Sequence, residues 1–488
     1  MSQRFDAVVI GTGQGGSPLA VRLGQSGRKT AVIERGAFGG TCVNYGCTPT
    51  KSYVASARAA HVARHAADYG VQVAGEISVD LAKVKTRKDA IIGTSRDGVE
   101  KWLRGADNVS VCTGHARLTG PHSLTVSDVD GHVTDTLEAG EIFINTGTRS
   151  AIPDIDGIER IRYYTNASLL ELTTLPAHLV IVGGSYIALE FAQIFRRFGS
   201  RVTVLVRRQR VLTREDTDFA KGVQKVLAKE GVEFRFGAEP SRLEPIGEGA
   251  SADGEADAVR INFADGSAPL DASHLLFATG RRPNTDDLGL DAAGVAVDAH
   301  GLIRVDGELR TNVPGIWAIG DVNGRGAFTH TSWDDFQIVC ANLLGRDTNG
   351  KPGAPKRNAD ARIPAWAVFV DPPFARVGLS EAEVRQSGRA ALIATMPMAR
   401  VGRARERGET DGFMKVLVDA HSERILGAAI LGIEGDEAIH TFIDTMTADA
   451  PYTTLMRAMH VHPTVSELIP TLLGGLEPLK SAGPDGSR

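Results

Sequence analysis

Cysteine is scarce in this chain, with four in 488 residues. That excludes the disulfide-stapled class of small secreted domains, which are dense in cysteine. Long apolar runs are missing too; none approaches the ~20 residues that a membrane-spanning helix needs. Neither sign of charge dominates, and the formal net charge is −5. Such mild acidity argues against general nucleic-acid binding and against attachment to a membrane surface. A cleavable signal pattern is not visible at the start, where MSQRFDAVVI runs directly into a strand pattern. Together these absences predict a cytoplasmic protein. Core-forming residues, by contrast, are plentiful: 42% are hydrophobic. The length suits about three domains of the usual ~100–200 residues.

Against that scarcity, Cys42 and Cys47 stand close together in GGTCVNYGCTPTK, residues 39–51. A disulfide needs α-carbons within about 7 Å. Five steps of ideal helix rise about 7.5 Å and turn the side chains apart. Joining the two cysteines therefore demands a distorted turn, for which Gly46 supplies backbone freedom. Such a bond would be strained and readily reduced. Thr48 reads as a helix N-cap and Pro49 as the first helical residue. Cys47 then lies just before a helix N-terminus, whose dipole favours a thiolate. In a reducing compartment a close pair is more often catalytic, redox-sensing or metal-binding than structural. Two inert, buried thiols fit the spacing equally well. Zinc fits less well, because Cys112 and Cys340 are isolated and form no second pair. No metal site is predicted.

The neighbouring sequence decides between these readings. DAVVIGTGQGGSPLAVRLGQSGRKTAVIER reads strand, glycine turn, helix, strand. Gly11, Gly13 and Gly16 fit G-x-G-x-x-G, and Glu34 ends the second strand, where an acid can bind a ribose hydroxyl. The glycines let a pyrophosphate approach the helix N-terminus. A second copy begins at Leu179, with Gly183 and Ala188 at the outer positions and Ser185 replacing the middle glycine. That serine is expected to crowd the pyrophosphate. Its second strand ends in Val206, then Arg207 and Arg208, whose guanidinium groups can clamp a 2′-phosphate. NADPH is therefore favoured over NADH. The fold class is α/β, with two Rossmann-like dinucleotide-binding domains. Two such sites imply two cofactors exchanging electrons, FAD and a nicotinamide, with the cysteine pair as the next electron acceptor.

With these motifs in hand, the chain resembles the class I flavoprotein disulfide reductases, the family of glutathione reductase, dihydrolipoamide dehydrogenase and mercuric reductase. The resemblance runs from about Phe5 to Leu479. It is carried by GGTCVNYGCTPTK, INTGTRS at Ile144, LLFATGRRPN at Leu275, GIWAIGDV at Gly315 and HPTVSE at His462. It implies that Cys42 is the interchange thiol and Cys47 the flavin-facing thiol. Lys51 and Glu190 would pair near the hydride-accepting edge of the flavin, and Tyr186 would gate the nicotinamide pocket. Asp321 would hold the ribityl chain, with Thr329 near the flavin. His462, oriented by Glu467, would be the acid–base group. Gly40, Thr41, Gly114, Ala116, Thr146 and Gly147 fall in the FAD motifs. Ile187 and Gly280 fall in the nicotinamide motifs.

An imidazole held by a carboxylate suits this chemistry in its own right. Thiol exchange needs a base for the attacking sulfur and an acid for the leaving one. His460 has no such support and reads as structural. A His-Pro bond can also be cis, which would set the direction of the ring.

The expected organisation is a first FAD segment at 1–150, an NADPH domain at 151–280, a second FAD segment at 281–350 and a C-terminal α+β dimerisation domain at 362–488. Helix is expected around 83–103, strands over 109–144, an exposed loop at 246–257 and a disordered tail. Ser380 and Glu383 offer a capping box. The family resemblance implies a homodimer in which His462 reaches into the partner's site. The favoured substrate is a small disulfide. Glutathione disulfide fits poorly, since Val21 stands where glutathione reductases carry a substrate-binding arginine. The alternatives are an NADPH-dependent mercuric or copper reductase, a dihydrolipoamide dehydrogenase-like enzyme, and a non-enzymatic redox sensor.

Overall fold

The computed structural model describes residues 2–246 and 257–480. Apart from its two end residues, the loop expected at 246–257 lies outside them, as does the tail. The first sheet contains β1 (Gln3–Ile10), β2 (Thr30–Glu34), β3 (Val109–Thr113), β4 (His115–Gly120), β5 (Ser123–Ser127) and β6 (Val133–Ile144). Its order is β3-β2-β1-β6-β5-β4, with the short strand Ile316–Ala318 added in parallel to β6. β1 pairs in parallel with β2 and with the end of β6. Ile10 stands opposite both Ile33 and Ile144, so these strands end level and the turns after them converge on one edge. β1 is apolar on both sides because both sides are covered. Val8 and Ile10 face one core, while Ala7 and Val9 face another.

Helices α1 (Gly16–Gln25), α2 (Gly40–Asn44), α3 (Cys47–Arg64) and α4 (Leu81–Arg104) connect these strands. Alanine-rich α3 starts at Cys47 with Gly46 at the N-cap, not at Pro49 with Thr48 as cap. The Thr50 amide already donates to the Gly46 carbonyl at 3.1 Å, which closes the first turn two residues earlier than expected. Pro49 is tolerated inside that turn because the first amides of a helix lack intrahelical acceptors anyway.

A second, all-parallel sheet runs in the order Glu233–Phe236, Arg201–Val206, His178–Val182, His274–Phe277 and Tyr163–Tyr164. A six-stranded antiparallel sheet built from Ala365–Val368 through Glu477–Pro478 completes the chain. Ser380 and Glu383 form the expected capping box beside it. One hydrophobic core joins α3, through Tyr53 and Ala57, to the helix Tyr186–Phe198 and to Phe374 and Leu431 of the last sheet. The Tyr53 and Phe198 rings lie 5.8 Å apart. That packing fixes the cysteine-bearing helix against the second nucleotide unit. Among the described residues no helix is long and apolar enough to cross a membrane.

Candidate active site

The turn that carries Cys42 is built by glycine and asparagine. Gly39 and Gly40 have φ of 93° and 63°, and a Cβ on Gly40 would come within 2.9 Å of the Gly13 Cα. The Asn44 amide donates to the Phe38 and Gly40 carbonyls, each at 2.9 Å. The dithiol is thereby pressed against the first glycine loop. Both cysteines are free thiols. The hydrogen bond between them drives the Cys42 thiol well above the ordinary thiol range, and burial adds to this. The same bond pulls Cys47 down to about 6, against its burial and with help from the Thr329 hydroxyl and the Lys51 charge. The Thr329 Oγ1 lies 3.1 Å from the Cys47 Sγ. Cys47 is also the first residue of α3, at the positive end of its dipole.

One turn on, Lys51 sits on the same helix face as Cys47. Its Nζ is 2.6 Å from an oxygen of Glu190, which is buried on the facing helix. The other Glu190 oxygen accepts from the Phe369 amide at 2.8 Å. Tyr186 begins that facing helix; its ring lies 5.9 Å from Phe328, and burial raises its hydroxyl to about 12.

These groups line one cavity of about 1540 Å³, larger than the ~300–1,000 Å³ of common small-ligand pockets. Cys42, Cys47, Lys51, Glu190, Tyr186 and Ile187 form one part of its wall. Gly11, Gly13, Glu34, Gly40 and Thr41 form another, and Gly114, Ala116, Thr146, Gly147, Asp321 and Thr329 continue it. Gly16 does not face the cavity. A Cβ there would collide with the Gly11 carbonyl, so its role is close packing.

The residues present fit an FAD. A Cβ on Gly11 would come within 2.5 Å of the Asn145 carbonyl oxygen, so only glycine lets the turn pass this close to the end of the neighbouring strand. α1 has no side-chain cap and no acid in its first turn, which leaves the positive dipole end open for a pyrophosphate. Glu34 lies on the cavity wall but is already engaged, accepting from the Thr12 amide (2.9 Å), the Thr12 hydroxyl (2.6 Å) and the Gly36 amide (2.9 Å). Asp321 accepts from the Thr148 hydroxyl at 2.9 Å, and burial raises its carboxyl.

The glycine turn of the second unit does not line this cavity: Gly183, Ser185 and Gly280 lie off its wall, although Tyr186 and Ile187 of the same unit lie on it. A Cβ on Gly183 would clash with the Ala278 carbonyl. Ser185 is exposed at the N-cap of Tyr186–Phe198 and makes no side-chain cap bond. Gly280 has φ 127° with open space around it. Arg207 and Arg208 are exposed just beyond Arg201–Val206, and Arg208 lines a separate cavity of about 530 Å³ with Lys221.

His462 and Glu467 are the predicted residues that the single chain does not bring to the cysteines. They pair with each other, Nδ1 to Oε2 at 2.7 Å, and the His462–Pro463 peptide is cis. Yet the His462 side chain is 80% exposed and neither residue lines the cavity. Val21 is a core-facing residue of α1 and does not line the cavity either.

Sequence reasoning passed over several polar residues that build the site. Asn145 accepts from the Gly16 amide at 2.9 Å and donates to the Ile319 carbonyl at 2.9 Å, tying together three turns at the sheet edge. Asp335 is fully buried; it accepts from the Gly320 amide at 2.7 Å and Asn323 at 3.0 Å, and pairs with Arg362. A polar residue ending an apolar strand, and an acid on the buried face of a helix, were the available signals.

Comparison with known proteins agrees with this arrangement. Residues 5–335 match the family model described as pyridine nucleotide-disulphide oxidoreductase, and residues 364–473 match the dimerisation domain of that family. The probable pyridine nucleotide-disulfide oxidoreductase RclA of Escherichia coli is 35% identical over 469 residues, covering 95% of this chain and 97% of the relative. The mercuric reductase of Streptomyces lividans is 34% identical over 466 residues, covering 95% and 94%. The structure of the HOCl-induced flavoprotein disulfide reductase RclA from E. coli superposes with a TM-score of 0.84 at 34% identity, over 96% of this chain and 99% of that one. A Cu(II) complex of the same protein superposes with a TM-score of 0.85 at 34% identity, over 97% and 99%. The chain belongs to the pyridine nucleotide-disulphide oxidoreductases, enzymes that work with FAD and NAD(P)H.

Proposed function

We propose that the chain is a cytoplasmic, NADPH-dependent reductase of a small disulfide. It works as a homodimer in which His462 of one subunit serves the cysteine pair of the other. The observation that carries this reading is the dithiol on the cavity wall at the start of α3, with the Thr329 Oγ1 3.1 Å from the Cys47 Sγ and the Lys51–Glu190 pair one turn on; the opposed tuning of the two thiols supports it. Cys47 is held near 6 and is a thiolate at neutral pH, while Cys42 is held high and keeps its proton. An attacking thiol so held needs a base. The His462–Glu467 pair is an acid–base group facing solvent, with no cysteine of its own beside it. A twofold dimer supplies each dithiol with the partner's imidazole.

The chemistry then balances. Cys42 gives its proton to the imidazole, attacks one sulfur of the substrate and forms a mixed disulfide. The first leaving thiolate takes that proton. The Cys47 thiolate attacks the Cys42 sulfur, closes the Cys42–Cys47 disulfide and releases the second thiolate, which water protonates. When bound, FAD carries the two electrons from NADPH that reopen the disulfide. The Lys51–Glu190 pair fixes a positive charge beside Cys47, and Arg207 and Arg208 favour the 2′-phosphate.

An NADPH-oxidation screen tests the reading with glutathione disulfide, other thiol disulfides, lipoamide, and mercuric and cupric ions, with NADH as control. Turnover is expected with a disulfide other than glutathione disulfide, because the Val21 position is closed into the core. Mixing inactive Cys42→Ser subunits with inactive His462→Ala subunits should restore activity through hybrid dimers. Metal-ion reduction is the second reading, favoured by the likeness to a mercuric reductase and to a relative whose structure is known as a Cu(II) complex. Turnover with metals alone would replace the first reading. The absence of cysteine after Cys340 weighs against mercury.

A further inference from the structure

The Lys51–Glu190 pair has a third partner, and it comes from residues 364–473, the part matched to the dimerisation domain. The Lys51 ammonium lies over the face of the Phe369 ring, 4.4 Å from its centroid. The Phe369 amide donates to Glu190 Oε1 at 2.8 Å, while Glu190 Oε2 is 2.6 Å from Lys51 Nζ. One residue thus offers a negative ring face to the cation and an N–H donor to the carboxylate. Phe369 lines the same cavity as Cys47, Lys51 and Glu190.

The backbone around this ring is fastened. Phe369 follows the strand Ala365–Val368, and Asp371, two residues on, ties the stretch down. The Asp371 amide donates to Gln193 Oε1 and its carbonyl accepts from Gln193 Nε2, each at 2.7 Å. Its carboxylate accepts from Arg58 Nη1 at 2.7 Å and pairs with buried Arg197. Glu190, Gln193 and Arg197 share one face of the helix Tyr186–Phe198, and Lys51 and Arg58 are two turns apart on α3. The stretch 369–371 is therefore laced to both helices, which holds the ring against the ammonium. The Lys51 side chain is 33% exposed against 3% for Glu190, so water competes for the ammonium and not for the carboxylate.

We propose that Phe369 is a positioning residue of the dithiol site: its ring and its amide hold the Lys51–Glu190 pair and so keep the positive charge beside Cys47. This rests on Cys47 as the thiolate of the reacting pair. The Lys51 charge helps to lower Cys47 and the Glu190 charge opposes it, so the balance at the sulfur depends on where the ammonium is held. Without the ring the ammonium moves out toward water, where its charge is screened from the sulfur.

The test is the pH midpoint of Cys47 alkylation by iodoacetamide in reduced holoenzyme, with the labelled cysteine located by peptide fragment masses. Phe369→Leu should raise the midpoint by about 0.3–0.5 of a pH unit, within the worth of one cation–π contact at a part-exposed ammonium. Phe369→Tyr keeps the ring face and should leave the midpoint in place. Pentafluorophenylalanine at position 369 keeps the shape of the ring and reverses its charge pattern; it should raise the midpoint as leucine does. In a Lys51→Met background, Phe369→Leu should have no further effect. The proposal is overturned by an unmoved or lowered midpoint in Phe369→Leu or in the fluorinated protein, and by a shift in Phe369→Tyr equal to that of Phe369→Leu. An equal shift with and without Lys51 also overturns it, because the ring then acts through packing. Should the wild-type enzyme turn over only metal ions, the disulfide reading fails on its own, and the midpoints still decide the role of Phe369.

Discussion

The two glycine turns begin alike and then diverge. In each, the first glycine is crowded by the carbonyl that ends a neighbouring parallel strand: Asn145 for Gly11, Ala278 for Gly183. Beyond that point the first turn demands three more glycines, Gly13, Gly15 and Gly16, the second because a Cβ there would come within 2.6 Å of the Ser332 carbonyl oxygen. A Cβ on Gly13 would come within 2.8 Å of the Asn145 Oδ1, and one on Gly16 would strike the Gly11 carbonyl. The second turn instead accepts Ser185, exposed, and Ala188, fully buried. The residue at the strand end explains much of the difference. Asn145 reaches under the first turn, accepts from its Gly16 amide and donates to the Ile319 carbonyl of a separate turn, whereas Ala278 has nothing to reach with. A serine expected to crowd the pyrophosphate is thus free of protein crowding. The first turn is tightly packed against its neighbours, and the second is more open.

Breaking the first glycine of each turn should separate the units most clearly. Gly11→Val is expected to yield protein without bound flavin, read as lost visible absorbance after gel filtration. Gly183→Val should keep the flavin and lose its reduction by NADPH. The exposed arginines come next. Arg207→Gln with Arg208→Gln removes charge-assisted bonds worth about 1.5–3 kcal/mol each. KM for NADPH should rise by about 100-fold or more, with KM for NADH unmoved, and Arg208 should carry the larger share because, of the two, it lines the side cavity.

The asparagine sharpens the comparison at a smaller scale. Gly13→Ser should weaken FAD binding, and Asn145→Ala should relieve part of that loss while costing about 1–3 kcal/mol alone. A double-mutant cycle on flavin affinity measures the coupling. Between the two turns, Cys47 has its own signature. Its pKa is depressed, so the thiolate persists as pH falls from 9 and is lost through about 6. Iodoacetamide labelling of Cys47 in the reduced enzyme should therefore reach half-maximum near pH 6. A midpoint near 9 would mean that the thiol pair is not tuned. The smallest effect is expected for Ser185→Gly, about twofold or less on KM for NADPH, in line with the few tenths of a kcal/mol typical of an exposed position.

Much of this arrangement was legible before any coordinates. Glycine spacing, strand–turn–helix rhythm and the C-x4-C segment are local patterns, and the elements form where those patterns put them. The α3 start was misplaced because Thr48-Pro49 is a strong local signal. It was overridden by Gly46, whose carbonyl takes the Thr50 amide. Asn145 and Asp335 escaped notice because a single polar residue in an apolar run has no spacing to read; its value appears only when its partners are found 129 and 15 residues away.

By itself, the sequence determined that there are two nucleotide units with unlike glycine turns, that a dithiol stands at a helix start, and that a histidine and a glutamate five residues apart lie near the C-terminal end. These follow from backbone geometry and residue chemistry within a few turns of chain. Only the tertiary structure decided that the two thiols are tuned apart, since Thr329 reaches Cys47 across 282 positions and Glu190 meets Lys51 across 139. It also decided that His462 faces away from the cysteines of its own chain. Electrostatic tuning and site completion depend on distances of a few ångströms between segments remote in sequence, and no local pattern encodes them.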